Sequence, residues 1–138
     1  MARSTSGPRG LEALSEDRSL PFIVYTLYLL GLTVVAGPLV LVGLVVAYAN
    51  RDGAGPRMRS HYVFQIRTFW TAIGWWIIGG ALIAFGVPLS LFLVGVPMVM
   101  LGFTIFGVGH FWFGIRCVLG AVYLLRDEAY PRPRTWLF

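Results

Sequence analysis

Two arginines lie deep within apolar sequence, and their types and positions make them the first candidates for chemistry. Arg67 lies near the start of one apolar run, and Arg116 is the only formally charged side chain between Thr68 and Leu125. A charge inside hydrocarbon costs at least roughly 2–3 kcal/mol unless it is paired, hydrated or able to reach the membrane surface. The apolar runs contain no Asp or Glu. We therefore expect each guanidinium to bond backbone carbonyls or Gln65, or to bind a lipid phosphate or another subunit's carboxylate.

Three polar residues accompany Arg67 on the same predicted helix. His61, Gln65 and Thr68 are spaced i, i+4 and i+7, which places them on one helical face. His61 is expected at the membrane interface, with a hydrogen bond to a neighbouring loop. The candidate residues for binding a partner or a lipid are therefore Arg67, Arg116, Gln65 and His61.

His110 lies within another apolar run, among Gly107, Gly109 and Gly114. Small residues beside a membrane histidine could leave room for a flat macrocycle such as haem or chlorophyll, but a packing or hydrogen-bonding role is the favoured interpretation. The two histidines are far apart and Cys117 is the only cysteine, so we predict no cofactor, no metal site and no intramolecular disulfide.

The composition predicts an integral membrane protein. The 138 residues are 57% hydrophobic and only 12% charged, a balance that fits a small all-α bundle in lipid rather than a water-soluble domain. Neither a Ser/His/Asp set nor a Cys/His set suited to nucleophilic catalysis is present, nor a phosphate-binding loop, so we expect no enzymatic activity. The net charge is +5, but no nucleic-acid-binding motif accompanies it, and basic residues beside membrane spans are better explained as topology signals.

The chain divides into a polar tail (1–19), a transmembrane domain (20–126) and a proline- and arginine-containing tail (127–138). The apolar run from Phe22 to Ala49 contains Gly37-Pro38 at its centre, which predicts either a hairpin of two short helices or one kinked span. After a loop at 50–59, Ser60 is expected to cap a helix that ends near Gly86. Pro88–Pro97 is then predicted to form a turn, and a last helix is expected from Met98 to Arg126.

Arginine clusters decide between the two topologies. One cluster precedes the first apolar run, one fills the 50–59 loop and one follows the last helix, whereas the Pro88–Pro97 turn has no charge. If the first run turns back at Gly37-Pro38, all three clusters lie on one side, and the positive-inside rule makes both termini cytoplasmic. Four helical segments are therefore favoured, with three spans as the alternative.

The central residues resemble a known family. Gly37-Pro38, Arg51-Asp52, His61 and the run Gln65–Trp70 resemble a bacterial family of small membrane proteins of unknown function, which is related to the helical membrane subunit of the chloroplast inner-envelope protein-import translocon. Ile115-Arg116 and Pro131–Trp136 look like further elements of that family. The resemblance implies a four-helix fold in the bacterial inner membrane and no established activity.

These observations lead to an expected role. The protein is small, and its deep arginines lack internal acids, so we expect a non-enzymatic accessory or structural subunit that packs against a larger membrane complex. The alternative is a self-assembling transport or translocation component, but the polar residues of the spans form no continuous stripe. Expected partners are membrane lipids, including anionic ones, and a membrane protein or a second copy of this chain.

The topology can be tested by cysteine labelling. We predict that Thr5→Cys, Ala54→Cys and Thr135→Cys, each with Cys117 replaced by alanine, react with an impermeant thiol reagent from the same side of the membrane. Reaction of the residue 5 and residue 54 thiols from opposite sides would instead establish three spans.

Overall fold

The described part of the chain contains helices and no strands. The computed structural model describes residues 17–33 and 37–136; most of the predicted N-terminal tail, residues 1–16, lies outside the described residues. The predicted all-α fold with four helical segments is confirmed. The helices are α1 (Ser19–Gly31), α2 (Pro38–Arg51), α3 (Pro56–Leu89) and α4 (Gly95–Leu125), with a short 3-10 turn at Ser90–Phe92 between α3 and α4.

Helices α1 and α2 form the short hairpin predicted from the Gly37-Pro38 break. Pro38 occupies the first turn of α2, where a missing backbone N–H leaves no helical hydrogen bond unmade. Gly31 faces Val40 and Gly43 faces Tyr28, so the two helices run antiparallel. With 13 and 14 residues, each helix is about 20 Å long, which is less than the bilayer core of about 30 Å.

Helix α3 begins at Pro56, four residues before the predicted start. Gly55 is extended and serves as the N-terminal flank, and the fixed φ of Pro56 favours the first helical turn. The prediction that Ser60 caps the helix is wrong. Its hydroxyl instead donates to the carbonyl oxygen of Arg57 at 2.6 Å, one turn back, and accepts from the backbone N–H of Tyr130 at 3.0 Å.

The turn between α3 and α4 is shorter than predicted. Pro88 lies inside the last turn of α3, and Pro97 lies in the first turn of α4, where proline is tolerated. Helix α4 therefore starts at Gly95 instead of Met98. The reversal is completed by the 3-10 turn and by Leu93, which has a left-handed backbone with φ 64°.

Helices α3 and α4 form a long antiparallel hairpin. Their 34 and 31 residues correspond to about 51 and 46 Å. Gly79 faces Gly102 near one end, and Thr68 bonds Arg116 towards the other, which fixes the opposite directions of the helices. Among the described residues, these are the two helices long and apolar enough to cross a membrane.

The large buried side chains lie at one end of this hairpin. Helix α1 packs against the first half of α3 and the second half of α4, whereas α2 packs against α1 and α3. The core there includes Tyr25, Tyr28, Phe64 and Phe113. We call the remaining part of the α3–α4 hairpin, residues 73–112, the arm. The buried residues of the arm are glycines: Gly79, Gly86, Gly95, Gly102 and Gly109.

Close backbone contact holds the arm together. A Cβ atom added to Gly79 would lie 2.9 Å from the carbonyl oxygen of Gly102, and one added to Gly102 would lie 2.8 Å from that of Gly79. Neither carbonyl can move without disturbing its helix, so a side chain at either position would force the helices apart. Small residues are the usual means by which membrane helices approach each other this closely.

The arm should therefore be sensitive to added volume at these two glycines. We predict that Gly79→Ala and Gly102→Ala each lower the free energy of unfolding by about 1–3 kcal/mol, the usual cost of overpacking. Gly80→Ala is the matched control, because a Cβ at Gly80 meets no atom within 4 Å. Denaturation in mild detergent measures all three. Equal stability of the Gly79 and Gly80 variants would contradict this account.

Candidate functional site

Four polar side chains form a buried layer at the packed end of the bundle. His61, Gln65 and Arg116 are 0% exposed and Thr68 is 1% exposed. The predicted common face of His61, Gln65 and Thr68 is present, and α4 adds Arg116 to it. We call these four residues the polar layer. It is enclosed by α1, α4 and the segment after α4.

His61 connects three parts of the chain. Its Nε2 lies 2.8 Å from the carbonyl oxygen of Glu128, and its Nδ1 lies 3.1 Å from the hydroxyl of Tyr25. A carbonyl oxygen can only accept, so Nε2 carries the proton; in the neutral imidazole, Nδ1 then accepts from Tyr25. The predicted hydrogen bond of His61 to a loop is present, since Glu128 follows the end of α4.

Gln65 ties α3 to the start of α1. Its Nε2 donates to the carbonyl oxygen of Pro21 at 2.8 Å. Its Oε1 is buried without a hydrogen-bond partner in the part of the chain that the structure describes. The amide therefore orients α1 through its donor side. Gln65 makes no described hydrogen bond with Arg116, although the sequence made it a candidate for one.

Arg116 bonds a hydroxyl and a carbonyl oxygen and packs against aromatic rings. Its Nε donates to the hydroxyl oxygen of Thr68 at 2.9 Å, and its Nη1 donates to the carbonyl oxygen of Thr135 at 3.3 Å. The guanidinium carbon lies 4.1 Å from the centre of the Phe64 ring and 4.8 Å from that of Trp112. The side chain thus lies inside the bundle. Binding of an outside partner by Arg116 stays a prediction.

The segment after α4 completes this end of the bundle. Tyr130 is 4% exposed and stacks on Phe64 with ring centres 3.7 Å apart. Burial raises the pKa of the Tyr130 hydroxyl. A region that the sequence presents as a polar tail therefore contributes a core residue, which sequence reasoning missed. The one available signal in the sequence was that Tyr130 is an aromatic residue between two charged stretches.

The residues before α1, the first turn of α3 and the residues after α4 meet at the packed end. Arg57 lies 3.4 Å and Arg18 lies 3.8 Å from a carboxylate oxygen of Asp127, and Arg57 also donates to the Asp127 carbonyl at 3.3 Å. Ion pairs as exposed as these contribute little stability. They nevertheless show that the start of α1, the first turn of α3 and the end of α4 lie together.

Arg67 does not belong to the polar layer, although it adjoins Thr68 in sequence. It is half-buried and faces a cleft of about 400 Å³ between α2, α3 and the C-terminal segment. Its guanidinium carbon lies 4.6 Å from the ring centre of Trp136. The other residues lining the cleft were not identified from the sequence: Arg51, Val63, Ile66, Trp70, Thr71 and Arg134.

His110 lies in an aromatic setting on the arm. Its ring centre is 4.9 Å from that of Phe106 and 5.1 Å from that of Trp76. Of the glycines thought to leave space beside it, Gly109 packs on Trp75 and Gly114 faces Leu32, whereas Gly107 is open. Much of the expected space is therefore used for helix packing. The expected packing or hydrogen-bonding role of His110, without a cofactor, stays a prediction, and a macrocycle contact stays its less favoured alternative.

Within the described ranges, no three His, Cys, Asp or Glu side chains are grouped closely enough to hold a metal ion. Comparison with protein-family models, with curated proteins and with solved structures found no match. The resemblance to the bacterial membrane family and its chloroplast relative therefore stays a prediction.

The surroundings of Arg116 predict a specific requirement for arginine. Arg116→Lys keeps the charge but loses the planar group that stacks on Phe64 and Trp112 and the fork that reaches two acceptors. We expect the free energy of unfolding to fall by about 1–3 kcal/mol. Arg126→Lys, at an exposed position just after α4, is the matched control and should have no measurable effect. Identical denaturation curves for the two variants in detergent would refute the stacking role.

Proposed function

We propose that this chain is a non-enzymatic integral membrane protein of the bacterial inner membrane, which packs as an accessory or structural subunit against a larger membrane complex. The observation that carries the proposal is the outer surface of the arm. This surface is apolar, and it contains glycines that pack against nothing in the described part of the chain, so a neighbouring helix could approach them. The proposal has three parts: membrane insertion, orientation and a protein partner.

Insertion is supported by the exposed apolar residues of the arm. Large apolar side chains project outward along both helices, and soluble proteins rarely expose so extensive an apolar patch to water. From Thr68 to Leu89, α3 has no charged residue over about 33 Å, which matches the thickness of a bilayer core. The exposed residues include Ile77, Ile78, Phe85, Leu91, Phe92, Met100, Leu101, Phe103 and Val108.

Orientation is supported by the collection of arginines at the packed end. The ion pairs of Asp127 with Arg18 and Arg57 bring three basic segments to one end of the molecule. Helices α1 and α2 are too short to cross the bilayer, so their hairpin would enter and leave on the same face. With arginine retained on the cytoplasmic side, both termini are cytoplasmic.

A protein partner is supported by the open small residues of the arm. A Cβ at Gly74, Gly80 or Gly107 would meet no atom within 4 Å, so these positions are not used for packing inside the chain. An apolar groove of about 340 Å³ lies on the same arm. Such a surface allows a further helix to approach closely. The groove is lined by Ile77, Ile78, Ala81, Leu82, Phe85 and Met98.

The rival transport role has less support. The hydroxyls of Thr71, Ser90 and Thr104 each donate to the carbonyl oxygen of the residue four positions earlier, at 2.8–2.9 Å. The polar layer is likewise engaged inside the bundle. The described part of the arm therefore offers no row of free polar groups along which a hydrophilic substrate could pass.

Site-specific photo-crosslinking tests the proposal. A photoreactive residue at Ile78, in the groove, should form an adduct with one discrete membrane protein in intact cells. The same residue at Phe103, which is exposed on the arm but does not line the groove, is the control and should react chiefly with lipid. An adduct with a second copy of this chain would favour self-assembly, and lipid adducts alone at Ile78 would overturn the subunit role.

A further inference from the structure

We propose that the cleft between α2, α3 and the C-terminal segment binds the phosphate of an anionic phospholipid headgroup. The inference depends on the proposed membrane location but not on the proposed protein partner. It concerns residues that make no contribution to the polar layer. The cleft volume of about 400 Å³ lies within the usual range of small-molecule sites, which is about 300–1,000 Å³.

Arg67 provides the central donor of this cleft. Its Nε is buried and has no hydrogen-bond partner among the described residues. The ring of Trp136 covers one face of the guanidinium at 4.6 Å, and stacking leaves the N–H groups at the edge of that plane available to an acceptor. A buried donor of this kind is costly unless an acceptor reaches it, and a phosphate oxygen is well matched to an arginine fork.

Two further arginines give the cleft its charge. Arg51 from the end of α2 and Arg134 from the C-terminal segment line it together with Arg67, and no acidic residue of the described ranges does. Arg51 also bonds the carboxylate of its exposed neighbour Asp52 at 3.0 Å, which lowers the pKa of Asp52. If the charge of Asp52 is set against that of Arg51, the positive charges of Arg67 and Arg134 remain. The cleft is therefore complementary to an anion.

The position of the cleft favours a lipid over a free anion. Arg67 is the last charged residue of α3 before the uncharged stretch that begins at Thr68, so the cleft lies where headgroups would meet acyl chains. Val63 and Ile66 give it apolar walls. At the same level, the Trp70 indole N–H donates to the Tyr48 hydroxyl at 3.0 Å, and such aromatic pairs are typical of the membrane interface. Anionic lipids are concentrated in the cytoplasmic leaflet.

Lipid titration of the purified protein tests the site. The full chain, delipidated in mild detergent, is titrated with phosphatidylglycerol, phosphatidylcholine or inorganic phosphate, and bound species are counted by native mass spectrometry. We expect one phosphatidylglycerol to bind more tightly than phosphatidylcholine, with no comparable binding of inorganic phosphate. Arg67→Gln and Arg134→Gln should each weaken phosphatidylglycerol binding about tenfold, the usual effect of losing a charge-assisted hydrogen bond.

Two matched controls separate the site from general charge effects. Arg59→Gln removes an exposed arginine from the same helix as Arg67, and Arg132→Gln removes an exposed one from the same segment as Arg134; neither residue lines the cleft. Both controls should keep wild-type affinity. Arg134 is exposed, so its variant tests the site even if Arg67→Gln lowers the melting temperature.

Several results would overturn the proposal. Equal binding of phosphatidylglycerol and phosphatidylcholine would exclude recognition of the anionic headgroup, and inorganic phosphate binding as tightly as lipid would establish a site for the free anion. Equal losses of phosphatidylglycerol affinity in the cleft variants and their controls would show that binding depends on net charge and not on this cleft. Retention of an acidic protein that only the cleft variants release, with lipid binding unchanged, would assign the cleft to a protein. Recovery of the chain outside the membrane fraction would instead refute the underlying membrane location.

Discussion

The buried guanidinium of Arg116 is the constraint on which the packed end of this protein depends. Removing a guanidinium from water is expensive, and the described neighbours of Arg116 compensate with hydroxyl, carbonyl and aromatic groups. Thr68 can serve because its hydroxyl donates to the Phe64 carbonyl at 2.7 Å while accepting from Arg116. The described compensating groups come from α3, α4 and the C-terminal segment, so these contacts with Arg116 form only when all three are assembled.

The same layer determines where α1 docks. Tyr25 reaches His61 only because Gly120 leaves room for its phenol ring, and a Cβ at that position would overlap the Tyr25 side chain. The Gln65 amide fixes the first turn of α1 at Pro21. Polar contacts therefore specify the arrangement of the packed end, whereas the arm relies on close glycine contacts between two helices. These are the two ways in which helices recognise one another where apolar surface alone provides little preference between partners.

Sequence reasoning predicted the features that depend on local pattern. The break at Gly37-Pro38, the common face of His61, Gln65 and Thr68, and the four helices all follow from periodicity and helix-breaking residues. Helix ends were less accurate, because Pro56 and Pro97 lie inside first turns that accept proline as readily as a loop does. The contacts of Arg67 with Trp136 and of Phe64 with Tyr130 join residues far apart in the chain. No pattern in a single sequence indicates such pairs, so the cleft and the role of the C-terminal segment became apparent only from the structure.

The two deep arginines, which appear equivalent in sequence, have opposite environments. Arg116 is enclosed, and its described bonds and ring contacts explain how its charge is tolerated without solvent. Arg67 is only half-buried, shares its cleft with two further arginines, and has a ring on one face but no described acceptor for Nε. A structural role is sufficient for the first arginine, because its removal would leave Thr68 and the rings without their common partner. The described contacts of the second do not provide an acceptor for its buried Nε, and this difference is the reason for proposing that its cleft receives an anion from outside the chain.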